Sequence, residues 1–149
     1  MVLYLDVCCL NRPFDDRTQN RIHLESEAVL LILERIERQE WVGIRSPAID
    51  HEVARIMDVV RRGRVEILVR LLQKTVSSVG AAGTRAAALE ALGFHSLDAQ
   101  HLSFAEVGGA DVFLTTDDRL ERQAQRVQDR LQVMVYNPVR WIQEREQQQ

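Results

Sequence analysis

Apolar and polar positions along the chain alternate between short continuous runs and helical stripes. Val2–Asp6 (Val-Leu-Tyr-Leu-Asp) is an apolar run ending on a carboxylate, the pattern of a strand buried on both faces. Asn11–Thr18 has the Pro and Asx density of a surface loop. From Leu24 to Gln39, Val29, Ile32, Leu33 and Ile36 recur at i, i+3, i+4 and i+7, which predicts a helix. Trp41–Arg45 reads as a second strand. Ser46-Pro47 then starts a helix, with Ser as cap and Pro in the first turn. The stripe Val53, Ile56, Met57, Val60 carries that helix to Arg61-Arg62-Gly63-Arg64, which breaks it. Val65, Leu68, Val69 and Leu72 mark the next one.

Thr75–Val79 reads as a short strand ended by Gly80 and Gly83, and Thr84–Leu92 as an Ala-rich helix stopped by Gly93. Ser96 is the expected cap of a helix carrying Asp98 in its first turn. After Gly108-Gly109, Ala110–Thr115 is a second fully apolar strand, with Asp117 just past its end. A helix from Arg119 to Arg130, a strand over Leu131–Tyr136 and a terminal helix capped by Asn137-Pro138 complete the chain. Gln147–Gln149 is expected to fray. The order β-α-β-α-α-β-α-α-β-α-β predicts an α/β fold: three layers, α/β/α, around a parallel sheet of four to five strands.

Composition narrows the classes. At 149 residues, 46% hydrophobic and 28% charged, residues 1–149 suit one globular domain. No apolar run is long enough for a membrane span, and no charged flank precedes a signal-peptide core, so a cytoplasmic location is expected. Cys8 and Cys9 make neither a disulfide framework nor a zinc set. The net charge of −3 argues against a protein that coats nucleic acid, but not against an enzyme whose acids meet phosphate through a metal.

Four acids stand out: Asp6, Glu52, Asp98 and Asp117. Two end strands, and two lie early in helices that follow strands, so all four face the carboxyl edge of the sheet, where open α/β sheets place their chemistry. Clustered carboxylates repel unless a cation neutralises them, and all-oxygen ligands suit Mg²⁺ or Mn²⁺. Such a site hydrolyses phosphodiesters. No Gly-rich phosphate loop follows Asp6, and the second acid of an aspartyl phosphatase is replaced by Cys8. Asp6 on its own reads equally as the cap of a strand-to-helix turn. Asp118-Arg-Leu-Glu121 has the form of a capping box, so Asp118 is expected to cap a helix and Asp117 to serve the site. His101, three residues after Asp98, is read as support at the core edge, because hard cations seldom recruit imidazole. Trp41 and Trp141 read as packing anchors.

The set Leu5-Asp6, Ser46-x5-Glu52, Leu97-Asp98-Ala-x-His101-Leu and Leu114-Thr115-x-Asp117 resembles the PIN domain. More narrowly, it resembles the VapC-type toxin nucleases of bacterial toxin–antitoxin pairs, over essentially the whole chain. The resemblance implies a Mg²⁺- or Mn²⁺-dependent endoribonuclease acting on RNA, inhibited by a cognate antitoxin and usually a homodimer. It makes Asp6, Glu52, Asp98 and Asp117 catalytic metal ligands and Thr115 their support. Where the family usually carries Thr or Ser and then Asn or Ser after the first Asp, this chain has Val7 and Cys8. Asn11 and Arg12 are the candidates for contacting substrate. Two rival readings are a PIN-like binding module with impaired catalysis and an RNA-maturation or DNA-directed nuclease on the same fold.

Overall fold

In the computed structural model, which describes residues 1–148, β1 (Val2–Leu5) is the middle strand of the sheet. Leu3, Tyr4 and Leu5 are completely buried, as a central parallel strand requires. A five-residue helix, α1 (Val7–Asn11), follows at once, then a single 3-10 turn and the long α2 (Asn20–Glu37). β2 (Val42–Arg45) pairs with β1, and α3 (Pro47–Ala54) and α4 (Val59–Val69) lead to the two-residue β3 (Lys74–Thr75). α5 (Val79–Ala91) and α6 (Ser96–Val107) precede β4 (Val112–Leu114). α7 (Asp118–Arg126), β5 (Met134–Tyr136) and α8 (Pro138–Gln147) close the order.

The five strands are all parallel, in the order β3-β2-β1-β4-β5. Leu3, Tyr4 and Leu5 stand opposite Val112, Phe113 and Leu114. Right-handed crossovers put the connections leading to β2 and β3 on one face and those leading to β4 and β5 on the other. The sheet therefore changes direction between β1 and β4, and the crevice opens at the carboxyl ends of those two strands. Asp6 lies past the end of one, Thr115–Asp117 past the end of the other.

The buried apolar residues form one continuous cluster through the sheet and its helices. Packing is tight enough to dictate glycine at two places. A Cβ on Gly43 would sit 2.6 Å from Leu72 Cδ2, and one on Gly108 would sit 2.7 Å from Val76 Cγ2. The terminal helix is fastened by aromatics: Trp41 and Trp141 meet edge-on at 5.0 Å, with the Arg145 guanidinium over both rings. Both tryptophans thus anchor packing.

Several local expectations are revised. The stripe through Val53 and Val60 is not one helix: α3 ends at Ala54, Met57 is 92% exposed, and α4 restarts under the cap of Asp58. Asp58 Oδ1 accepts from the N–H groups of Val60 and Arg61, a local capping bond that outweighs the apolar spacing. Arg61-Arg62-Gly63-Arg64 lies inside α4 and breaks nothing. Gly80 and Gly83 lie inside α5, so β3 comes earlier than Thr75–Val79 and is shorter. His95, not Ser96, occupies the N-cap of α6, with no side-chain capping bond. At the terminus Gln147 ends α8, and Gln149 lies outside the described residues.

Candidate active site

Asp6 is placed by the end of β1 and held by three donors. Oδ1 accepts from the Val7 N–H at 2.9 Å; Oδ2 accepts from Thr115 Oγ1 at 2.9 Å and Cys8 Sγ at 3.4 Å. Oδ1 thus caps the turn into α1, while Oδ2 faces Thr115 and Cys8. Asp6 is buried, and that burial pushes its carboxyl above the usual carboxylate range, against the opposing influence of His101 and the Thr115 hydrogen bond. Cys8, which stands where the resemblance expects Asn or Ser, supplies a weak S–H donor there and also accepts from the Thr116 N–H at 3.4 Å.

Glu52 reaches the same place from α3. Ser46 caps that helix through the Ile49 N–H, and Glu52 lies half-buried one turn on. His101 Nε2 donates to Glu52 Oε1 at 3.0 Å, while Nδ1 lies 2.6 Å from the Tyr4 hydroxyl, itself 2.7 Å from Ser46 Oγ. A carboxylate only accepts, so Nε2 carries a proton. Burial pushes the Tyr4 hydroxyl well above its ordinary range, so it remains a donor. Ser46, Tyr4, His101 and Glu52 thus form one chain of hydrogen bonds from β1 through α6 to α3. The sequence showed Tyr4 only as a core residue. Its position two before Asp6, on the same face of the strand, was the available signal.

Among the described residues, the group of three ligand atoms that lie within 4.8 Å of one another comes from Asp6, Glu52 and His101. Asp98 and Asp117 form a separate pair, bridged by Arg119: Nη2 donates to Asp98 Oδ2 at 2.8 Å and approaches Asp117 Oδ2 at 3.4 Å. The hydrogen bond from Arg119 to Asp98 strengthens the guanidinium's hold on its charge.

The capping role expected of Asp118 falls to its neighbour. Asp117 is the cap of α7: its Oδ1 accepts from the Arg119 and Leu120 N–H groups at 2.9 and 3.2 Å. Asp118 begins the helix and pairs with Arg21, both of whose terminal nitrogens donate at 2.7 Å, which pulls its carboxyl below the ordinary range. Glu121 does not reach back to a cap. It is buried and accepts from the Asn137 N–H at 2.6 Å, so tertiary docking overrides the capping-box pattern. Thr115 performs two tasks, donating to Asp6 and accepting from the Asp117 N–H at 3.1 Å.

Asn11 and Arg12 turn to internal partners. Asn11 accepts from Arg61 at 3.2 Å, and Arg12 pairs with Asp15 at 3.1 Å and with buried Glu25 at 2.9 Å. An apolar groove of about 540 Å³ between α3, α5 and α6, lined by Ala82, Gly83, Ala86 and Phe104, contains none of the four acids. No helix among the described residues is long and apolar enough to cross a membrane.

No protein-family model matches the chain, and no curated protein matches it in sequence. A likeness does exist among solved structures. The chain superposes on one chain of VapBC2 from Rickettsia felis, solved bound to a DNA fragment from their promoter, with a TM-score of 0.58 and 15% sequence identity. The match covers 92% of this chain and 98% of that one. The two share a fold.

Proposed function

We propose that this protein is a PIN-type, divalent-cation-dependent endoribonuclease, the toxin of a toxin–antitoxin pair. The observation that carries the reading is the placement of Asp6 and Glu52 together at the carboxyl edge of the sheet, on a fold shared with a chain of VapBC2. The donor set fits Mg²⁺ or Mn²⁺: carboxylate oxygens dominate, and Asp6 is buried with hydrogen-bond donors, not a cation, on its two oxygens. Asp6 and Glu52 would hold the cation, with Asp98 and Asp117 completing the set. When bound, it supplies Lewis-acid activation of water and charge stabilisation at the phosphate.

The chain's own residues have distinct tasks. Thr115 fixes the rotamer of Asp6, and His101 fixes that of Glu52, so the two carboxylates are pre-aimed. On this reading residues 1–149 act as one nuclease domain in the cytoplasm, as a homodimer, with RNA as substrate and a cognate antitoxin as inhibitor.

A second reading, a PIN-like binding module with impaired catalysis, draws on the guanidinium lying across Asp98 and Asp117. One assay separates the two: purified protein with an RNA pool in Mg²⁺ or Mn²⁺, with and without chelator, beside Asp6→Asn. Cleavage that needs the cation and Asp6 supports the nuclease. Cation binding without cleavage of any RNA supports the module, and cleavage undiminished in excess chelator overturns the metal mechanism.

A further inference from the structure

Arg119 is an arginine that helix stability does not call for. It is the second residue of α7, where the macrodipole disfavours a cation, and its own N–H is already capped by Asp117. Its side chain is nevertheless turned onto Asp98 and Asp117, leaving those two outside the group formed by Asp6, Glu52 and His101. The guanidinium thus occupies half of the acid set. A planar guanidinium is also the side chain best suited to grip a phosphate with two parallel hydrogen bonds.

We propose that Arg119 is a phosphate-positioning residue parked on Asp98 and Asp117 until a divalent cation takes those carboxylates. The proposal rests on the nuclease reading above. Arg119 is the internal counter-ion of the two acids. Asp98 and Asp117 would hold a cation only in place of the guanidinium, and Arg119 would then be free to grip a phosphate. Arginine keeps its charge throughout, so occupancy rather than pH switches the contact.

The experiment is calorimetric titration of MnCl₂ into wild type, Arg119→Gln and Arg119→Lys at low salt, followed by RNA cleavage kinetics at saturating Mn²⁺. Gln is a good helix former without the charge, and melting curves check that each variant is folded. Arg119→Gln is expected to bind Mn²⁺ about three- to tenfold more tightly, because a half-exposed competitor has been removed. Its KM for RNA should rise severalfold with kcat changed less, while Arg119→Lys stays near wild type in Mn²⁺ affinity. Mn²⁺ affinity unchanged or weakened in Arg119→Gln overturns the proposal and leaves the nuclease reading standing. Tighter Mn²⁺ with an unchanged KM removes the phosphate role. No Mn²⁺ binding by any of the three proteins sinks the metal reading itself, and this proposal with it.

Discussion

Thr115 Oγ1 donates to Asp6 Oδ2 at 2.9 Å, joining residues 109 positions apart in the sequence. The bond ties the end of β4 to the end of β1 at the point where the sheet's connections diverge. It holds in one orientation a carboxylate whose burial raises its pKa. Such a group costs stability when ionised and is positioned to gain it from a cation.

Asp6→Asn is expected to abolish cleavage and to raise the melting temperature in chelator at neutral pH. The sign follows from linkage. With the folded pKa above the unfolded value, the native state binds the proton more tightly, so wild type loses stability as pH rises through the interval between the two. The advantage of Asn should shrink as pH falls and vanish below the ordinary carboxylate value of 3.8, where wild-type Asp6 is protonated in both states. Melting curves at a series of pH values, in chelator, decide it. An Asn variant less stable than wild type throughout would make Asp6 chiefly a cap.

Asp117 and Asp118 separate cleanly by substitution. Asn caps as well as Asp, so Asp117→Asn should keep the fold and lose activity, whereas Asp117→Ala should also lose about 1 kcal/mol. Asp118→Ala breaks an exposed pair with Arg21 and should cost less than about 1 kcal/mol with activity retained. Urea melts and cleavage rates for the three variants provide the check. An inactive Asp118→Ala beside an active Asp117→Asn would reverse the assignment.

Tyr4→Phe removes one hydroxyl from the centre of a buried chain of hydrogen bonds and leaves His101 Nδ1 and Ser46 Oγ to find new partners. A loss of about 1–3 kcal/mol is expected from the groups left unpaired. Activity should fall as well, because His101 then holds Glu52 less firmly. Unfolding free energies and single-turnover rates measure the two effects. Wild-type values for both would mean that the relay does not orient Glu52.

Glycines predict opposite responses to alanine. Gly43→Ala and Gly108→Ala drive a Cβ to within 3 Å of core side chains and should each lose about 1–3 kcal/mol. Gly63→Ala and Gly83→Ala meet nothing within 4 Å in the middles of α4 and α5 and should each gain about 0.5–1 kcal/mol. Thermal melts of the four variants measure both responses.

The sequence by itself determined the α/β class, because the apolar runs of β1 and β4 and the helical stripe of α2 are periodic signals that burial enforces locally. It also singled out Asp6 and Asp117, since a carboxylate at the end of a buried strand is conspicuous in one dimension, and Glu52 and Asp98 by their place early in helices that follow strands. Tertiary structure decided their company. Asp58 restarting a helix and Glu121 turning to Asn137 are cases where one hydrogen bond outweighs a pattern. Tyr4 joined to His101, and Arg119 laid across Asp98 and Asp117, depend on distances between side chains far apart in the chain or on separate elements. Periodicity reports which face of its own element a residue occupies. It carries no information on which residue of another element stands opposite, and that is set by the order and register of the strands.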